Sequence, residues 1–421
     1  MRFVYNLLAY LAALPYAMYW TVRALANPSY RPGFRQRFGF GHPSLTQSIW
    51  VHAVSVGEVV AAEPLIRALL KTFPDRSLLV TTVTPTGKAR VSQRFGDSVT
   101  HSYIPFETPL AVNRFFKRTD PAIALILETE IWPNLYHGCG VRRIPLVLVS
   151  ARISPRSVRS YRKLLPLFRE TLSHGIIIAA QSHTDARRFM SLGASQERTR
   201  VTGNIKFDVD LDPGIVERGR SFRRETFGVR PVWVAASTHD GEEAQILEAH
   251  RQLLVLHDDL LLVLVPRHPE RFQSVAELIG KMGLEAVRRT ENRRCDLSTQ
   301  VFLCDTMGEL IMMYAASDIA FVGGSLVPIG GHNLLEPGAL GLPILTGPHN
   351  FNAEDIARQF IERGACREVS GSEELAQVVA ELLVDESAAE QLGSASRQII
   401  AENRGSLDQL MSLIKPFIAS R

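Results

Sequence analysis

The stretch "VHAVSVGEVVAAEPLI", residues 51–66, reads as a strand that ends at Gly57 and a helix that begins at once with Glu58. The same strand-then-helix reading repeats along the chain. Apolar runs fall at 49–56 (IWVHAVSV), 77–84 (SLLVTTVT), 123–129 (IALILET), 145–151 (PLVLVSA) and 175–182 (GIIIAAQS). Continuous apolar strands alternating with amphipathic helices predict a parallel sheet covered on both faces. At 203–214 (GNIKFDVDLDPG) the pattern breaks into a polar segment punctuated by proline and glycine, the natural linker. It restarts at 231–238 (PVWVAAST), 260–268 (LLLVLVPRH), 286–290 (AVRRT), 301–306 (VFLCDT), 319–325 (IAFVGGS) and 343–348 (PILTGP). The expectation is two doubly wound α/β domains in tandem.

Length and composition agree with that division. A chain of 421 residues exceeds the size at which one hydrophobic core keeps growing, and 46% hydrophobic with 21% charged residues excludes disorder. The net charge is only +4, with the basic excess in the first half. That points to a local basic face meeting an anionic partner and away from nucleic acid. Cys139, Cys295, Cys304 and Cys366 show no C-x-x-C or His-paired spacing, so free thiols in a reducing compartment are expected.

Residues 3–22 (FVYNLLAYLAALPYAMYWTV) carry no charge, and a helix of that length reaches about 30 Å, the thickness of the hydrocarbon core. Tyr and Trp at 5, 10, 16, 19 and 20 suit the interface, and Arg23, Arg31, Arg35 and Arg37 follow. Bulky Met18, Tyr19 and Trp20 argue against a cleavable signal peptide. The segment is expected to be a membrane anchor that either spans or, because of Pro15, lies in the inner leaflet with the rest of the chain cytoplasmic.

Ligands of open α/β sheets bind outside the carboxyl ends of the strands, and polar groups collect there. The first half offers Ser55 to Glu58, Thr84 to Gly87, Glu128-Thr-Glu130 and Ser150-Ala-Arg152; the second offers Ser237-Thr-His239, Pro266-Arg-His268, 305–310 (DTMGEL) and 330–337 (GGHNLLEP). Each has two readings. Glu58 is the first carboxylate of the chain and either complements a helix N-terminus or serves as a base. GGHNLLEP either cradles a phosphate or makes a turn with Asn333 as cap. Arg267 and His268 either bind an anion or form a solvated turn, and DTMGEL reads as a helix start capped by Asp305 or Thr306. Arg152, Arg156, Arg159, Arg162 and Lys163 follow one another without an acid, either a solvated face or an anion site. The acidic run 208–212 (DVDLD) matches no full calcium loop, and no H-E-x-x-H occurs, so no metal is expected.

Taken together, HAVSVGE, TVTPTG, ETEIWPN, SARIS, GNIKFD, ASTHDGEE, VPRHPER, DTMGEL and FVGGSLVPIGGHNLLEP, in that order, resemble the 3-deoxy-D-manno-octulosonic acid (Kdo) transferases of lipopolysaccharide assembly. One departure is Ala236, where a glycine before Ser237 is more usual. The resemblance implies an inverting GT-B glycosyltransferase with two Rossmann-like domains facing a central cleft and an N-terminal membrane-anchor helix. It would move Kdo from CMP-Kdo to the lipid A precursor (lipid IVA) at the cytoplasmic side of the inner membrane, with no cofactor, no metal and no nucleic acid. It implies an anchor at 1–28, an acceptor-binding domain at 29–206, a linker at 207–213, a CMP-sugar domain at 214–400 and a C-terminal helix at 401–421 able to pack back on the first domain. Glu58 would be the general base, and Glu128 and Lys206 would stabilise the transition state. CMP would contact Arg267, His268, Met307, Gly308, Glu309, Asn333, Leu334, Leu335 and Glu336. Arg31, Arg35, Arg152 and Arg156 are candidates for the acceptor. The alternatives are another membrane-associated GT-B transferase using a CMP- or UDP-sugar, an epimerase of similar fold, and a tethered binding protein without chemistry.

Overall fold

In the computed structural model, which describes all residues except 174, 210, 420 and 421, the chain divides into two units. One comprises Met1–Asp208 together with the chain from Asn403 onward, the other Val209–Glu402. His174, Asp210 of the acidic run and the last two residues of the C-terminal segment lie outside the described residues.

Among the described residues the first unit holds a seven-stranded sheet of β1 (Ser48–His52), β2 (Leu78–Thr82), β3 (Thr100–Tyr103), β4 (Pro121–Leu127), β5 (Leu146–Ala151), β6 (Ile177–Ala180) and β7 (Thr199–Val201), in the order β3-β2-β1-β4-β5-β6-β7. The second holds β8 (Val232–Thr238), β9 (Leu261–Pro266), β10 (Ala286–Arg288), β11 (Val301–Leu303), β12 (Ile319–Val322), β13 (Ile344–Thr346) and β14 (Cys366–Glu368), in the order β10-β11-β9-β8-β12-β13-β14. Neighbouring strands pair in parallel throughout. The strand order reverses between β1 and β4 and between β8 and β12, the places where an open sheet leaves a crevice at its carboxyl edge.

Four helices matter for the site: α1 (Arg2–Ala26), α2 (Val56–Thr72), α3 (Pro133–Val141) and α4 (Ser406–Ala419). Side chains of β1 alternate between two cores, as the period of a strand requires. Ile49 and Val51 join Val59, Leu65 and Ile66 of α2 and Leu410, Ile414 and Ile418 of α4, while Trp50 joins Phe115, Phe116 and Tyr136 on the other face. The C-terminal helix thus completes the core of the first unit. Asp208 accepts hydrogen bonds from the Gly405 and Leu407 N–H groups, both 2.6 Å, at its start. Phe207, assigned to the linker from sequence, is buried in the first unit.

Helix α1 packs on the first unit through one face. Tyr16 stacks on Phe106 with centroids 4.1 Å apart, and the Arg37 guanidinium lies 3.6 Å from the Trp20 ring centroid. No described helix is long and apolar enough to cross a membrane, which speaks against the spanning one of the two alternatives expected for 3–22. The uncharged run is diluted by Tyr5, Asn6, Tyr10, Pro15, Tyr16, Tyr19 and Trp20. Arg37, read from sequence as part of a basic surface, is fully buried instead.

Candidate active site

The strand β1 ends at His52, and the apolar residues that follow lead into a capped helix. Ser55 is the N-cap of α2: its hydroxyl accepts from the Glu58 N–H at 3.3 Å, while Glu58 Oε2 accepts from the Val54 N–H at 2.8 Å. This is a capping box reaching back one residue further than usual. Glu58 therefore has a structural task, yet its electrostatics are those of a poised base. Burial pushes its carboxyl up to about 7, reinforced by the negative charges of Glu130 and Glu128 and opposed by the Val54 hydrogen bond.

Across the reversal point, Glu128 follows β4 with φ 55°, in the left-handed region that a side chain rarely adopts. Its carboxylate is held by Lys206 Nζ at 2.7 Å on one oxygen and Arg152 Nε at 3.1 Å on the other. Lys206 is delivered by the short turn 205–207, which is tied to β5 because the Ile205 N–H donates to Ser150 Oγ at 3.2 Å. Ser150 itself has φ 47°. Left-handed backbone at Glu128 after β4 and at Ser150 within an irregularity of β5 thus helps bring the carboxylate and Lys206 together, a local strain of the sort that gathers at functional sites. Glu130, named from sequence beside Glu128 at the strand end but given no role, completes a group of three carboxylates. Trp132 Nε1 donates to its Oε2 at 2.6 Å, and burial, with the charge of Glu128, raises its carboxyl above the ordinary value. The signal was available: Glu130 stands two residues from Glu128 in the same short segment after a strand.

The acceptor candidates divide. Arg31, Arg35 and Arg156 are exposed, whereas Arg152 is engaged by Glu128.

In the second unit the carboxyl edge carries three imidazoles. His239 and His332 stack with centroids 5.0 Å apart and Nε2 atoms 2.8 Å apart, and His268 meets His239 edge-on at 5.2 Å. Burial, with His239, Arg267 and His268 nearby, holds His332 down to about 3, so it offers a neutral ring. Buried Glu242, also missed from sequence, accepts from the N–H groups of Gly324 at 2.7 Å, Ser325 at 3.1 Å, Leu326 at 3.0 Å and His239 at 3.2 Å. It fixes the loop after β12 to the loop after β8. Its signal is the first of the two adjacent acids that open a helix in THDGEE.

The predicted donor contacts are unequal. Met307 is exposed beside Gly308, whose φ is 88°. Glu309 is clamped by Arg289 Nη2 at 2.9 Å. The expected helix start at 305–309 is displaced: the helix begins at Leu310, and Asp305 instead accepts from the Thr290 N–H and hydroxyl. The side chains of Leu334 and Leu335 are buried, so these residues can offer only backbone N–H groups. Asn333 Oδ1 accepts from the Leu335 N–H at 3.0 Å and its amide donates to Glu336 Oε1 at 3.2 Å. Among the described residues no group of three His, Cys, Asp or Glu side chains is arranged to hold a metal ion.

The chain is similar to known proteins. Residues 32–209 match the family model for 3-deoxy-D-manno-octulosonic-acid transferase (kdotransferase), and residues 234–399 match that for glycosyl transferases group 1. The chain is 44% identical over 399 residues to a 3-deoxy-D-manno-octulosonic acid transferase of Haemophilus influenzae, covering 94% of this chain and 93% of that one. It is 35% identical to the corresponding enzyme of Bordetella pertussis, covering 89% and 88%. A crystal structure of a glycosyltransferase from Rickettsia africae, 15% identical, covers 90% of this chain and 99% of that one with a TM-score of 0.50, a likeness of fold alone. The chain belongs to the Kdo transferase family and is a glycosyltransferase acting with Kdo in lipopolysaccharide biosynthesis.

Proposed function

We propose that the enzyme transfers Kdo from CMP-Kdo to the lipid A precursor lipid IVA, with inversion at the anomeric carbon, at the cytoplasmic face of the inner membrane. The observation that carries this reading is Glu58, a carboxyl poised near neutrality at the β1–β4 reversal point. An acceptor hydroxyl attacks the anomeric carbon of Kdo from the side opposite the phosphate and passes its proton to Glu58; the bond to CMP breaks, and CMP departs as an anion. Base assistance of this kind is worth typically ~10²- to 10⁴-fold. The oxocarbenium-like centre is steadied by Glu128, which Lys206 and Arg152 hold in place.

The leaving CMP requires hydrogen-bond donors, which Arg267, His268 and the backbone around Gly308 and Asn333–Glu336 supply without a metal. Exposed Arg31, Arg35 and Arg156 suit the acceptor's phosphates. Helix α1 supports attachment in the plane of the bilayer: Leu7, Leu11, Leu14, Met18, Val22 and Leu25 form one exposed apolar stripe, with Leu14 70% exposed. Mass spectrometry of lipid IVA incubated with purified enzyme and, in parallel, CMP-Kdo or other CMP- and UDP-sugars tests the reading. A Kdo adduct is expected; an adduct only with another CMP- or UDP-sugar contradicts it.

A further inference from the structure

The buried carboxylate of Glu107 is used by no step above, yet it joins three parts of the first unit. Helix α3 lacks a local side-chain cap, since Trp132 stands at its N-cap position. Glu107, from a distant loop, takes that task. Its Oε2 accepts from the Asn134 N–H at 2.8 Å and its Oε1 from the Leu135 N–H at 2.9 Å, while its own carbonyl accepts from the Asn134 side chain at 2.7 Å. An anion here answers the free N–H groups and the dipole of the helix start.

The third donor to the Glu107 carboxylate is the Tyr5 hydroxyl of α1, at 2.9 Å from Oε2. A second link runs parallel to it: Arg2 Nη1 lies 2.6 Å from His137 Nδ1, also on α3. Beside Glu107, Phe106 stacks on Tyr16. On its other side the first turn of α3 grips the catalytic loop. Trp132 Nε1 holds the Glu130 side chain, and the Tyr136 hydroxyl donates to the Glu130 carbonyl at 2.9 Å. Glu130 is a charge that acts on Glu58. One helix therefore presents its apolar stripe outward and, through the opposite face, reaches the loop that carries Glu128 and Glu130.

We propose that α1 is a positioning element of the catalytic edge, with Glu107 as the residue that transmits its docking to the 128–132 loop. The inference rests on the reading of Glu58 and its neighbouring carboxylates as the site. It makes docking of α1 a condition for turnover, separate from any attachment to lipid.

The test uses the full-length enzyme in detergent micelles, where attachment to a bilayer plays no part, with CMP-Kdo and lipid IVA. Tyr5→Phe removes one hydroxyl and Glu107→Gln removes one charge. Since small misplacements near reacting atoms cost up to ~10²-fold, kcat is expected to fall about tenfold in each with the KM for CMP-Kdo near wild type, and the melting temperature to stay near wild type in Tyr5→Phe but to drop in Glu107→Gln, where one of the Asn134 and Leu135 N–H groups loses its acceptor. A Leu11→Ser, Leu14→Ser variant, altered on the outer face alone, should keep its kcat in micelles. Wild-type kcat in Tyr5→Phe overturns the coupling, as does a fall matched by loss of the folded signal. Glu58→Gln, measured alongside, separates the two claims. Turnover surviving there sinks the site itself, whereas a dead Glu58→Gln beside a fully active Tyr5→Phe sinks only the coupling.

Discussion

Lys206 Nζ lies 2.7 Å from Glu128 Oε1, joining the turn that ends the first unit's main segment to the end of its central strand. The pair is mostly withdrawn from solvent, with 24% and 15% of the side chains exposed. Removing Lys206 leaves Glu128 with the Arg152 contact on its other oxygen and one oxygen without its charged partner.

Lys206→Ala should accordingly lower kcat by about 10²-fold, the scale of losing one preorganised electrostatic contact. CMP affinity, set by the second unit, should hold. Steady-state kinetics with calorimetric CMP titration checks this, and equal losses in both would remove Lys206 from the chemical step.

The pH profile follows from Glu58. Its carboxyl is raised to about 7, so below that pH it is protonated and cannot accept the acceptor's proton. Activity should fall tenfold per unit as pH drops below about 7, reported as a property of the coupled carboxylates. Glu130→Gln removes a like charge and should move the acid limb to lower pH without abolishing it, because burial, the larger cause, remains.

The core of the first unit needs the C-terminal helix. Ile414 is fully buried against the sheet, and Ile414→Ala should destabilise that unit by about 2–5 kcal/mol. Thermal or urea unfolding, with CMP binding as the readout for the second unit, shows whether the loss is confined to one.

Attachment in the bilayer plane predicts that Leu11→Glu with Leu14→Glu, on the exposed stripe of α1, reduces co-sedimentation with anionic liposomes while CMP binding persists. Unchanged sedimentation would assign the stripe another role.

Much of this architecture was legible because buried parallel strands write long apolar runs. What escaped were β3, β7 and β14, with the sequences THSY, TRV and CRE, short edge strands whose half-covered positions tolerate polar residues. Strand ends were overrun for a related reason: Ala53 and Val54 continue the apolar run past His52, the last residue of β1, and still hydrogen-bond to Thr81 and Val83 before Ser55 caps α2. At the site, Glu58 and Glu128 stood out at strand ends, whereas Lys206 was marked only by the resemblance that GNIKFD carries. Glu107 and Glu242 did not stand out, because each caps backbone N–H groups far away in sequence, 27 residues for Asn134 and 82 for Gly324. Arg37 misled for the converse reason, since nothing in a run of arginines marks the one that aromatic rings enclose.

Glu58→Gln tests the central claim most directly, because glutamine can keep the capping box at the start of α2 while losing the ability to take a proton. The account predicts that transfer of Kdo to lipid IVA falls by about 10²-fold or more, with the melting temperature and CMP affinity of wild type. Turnover close to wild type, or loss of folding together with turnover, would contradict it.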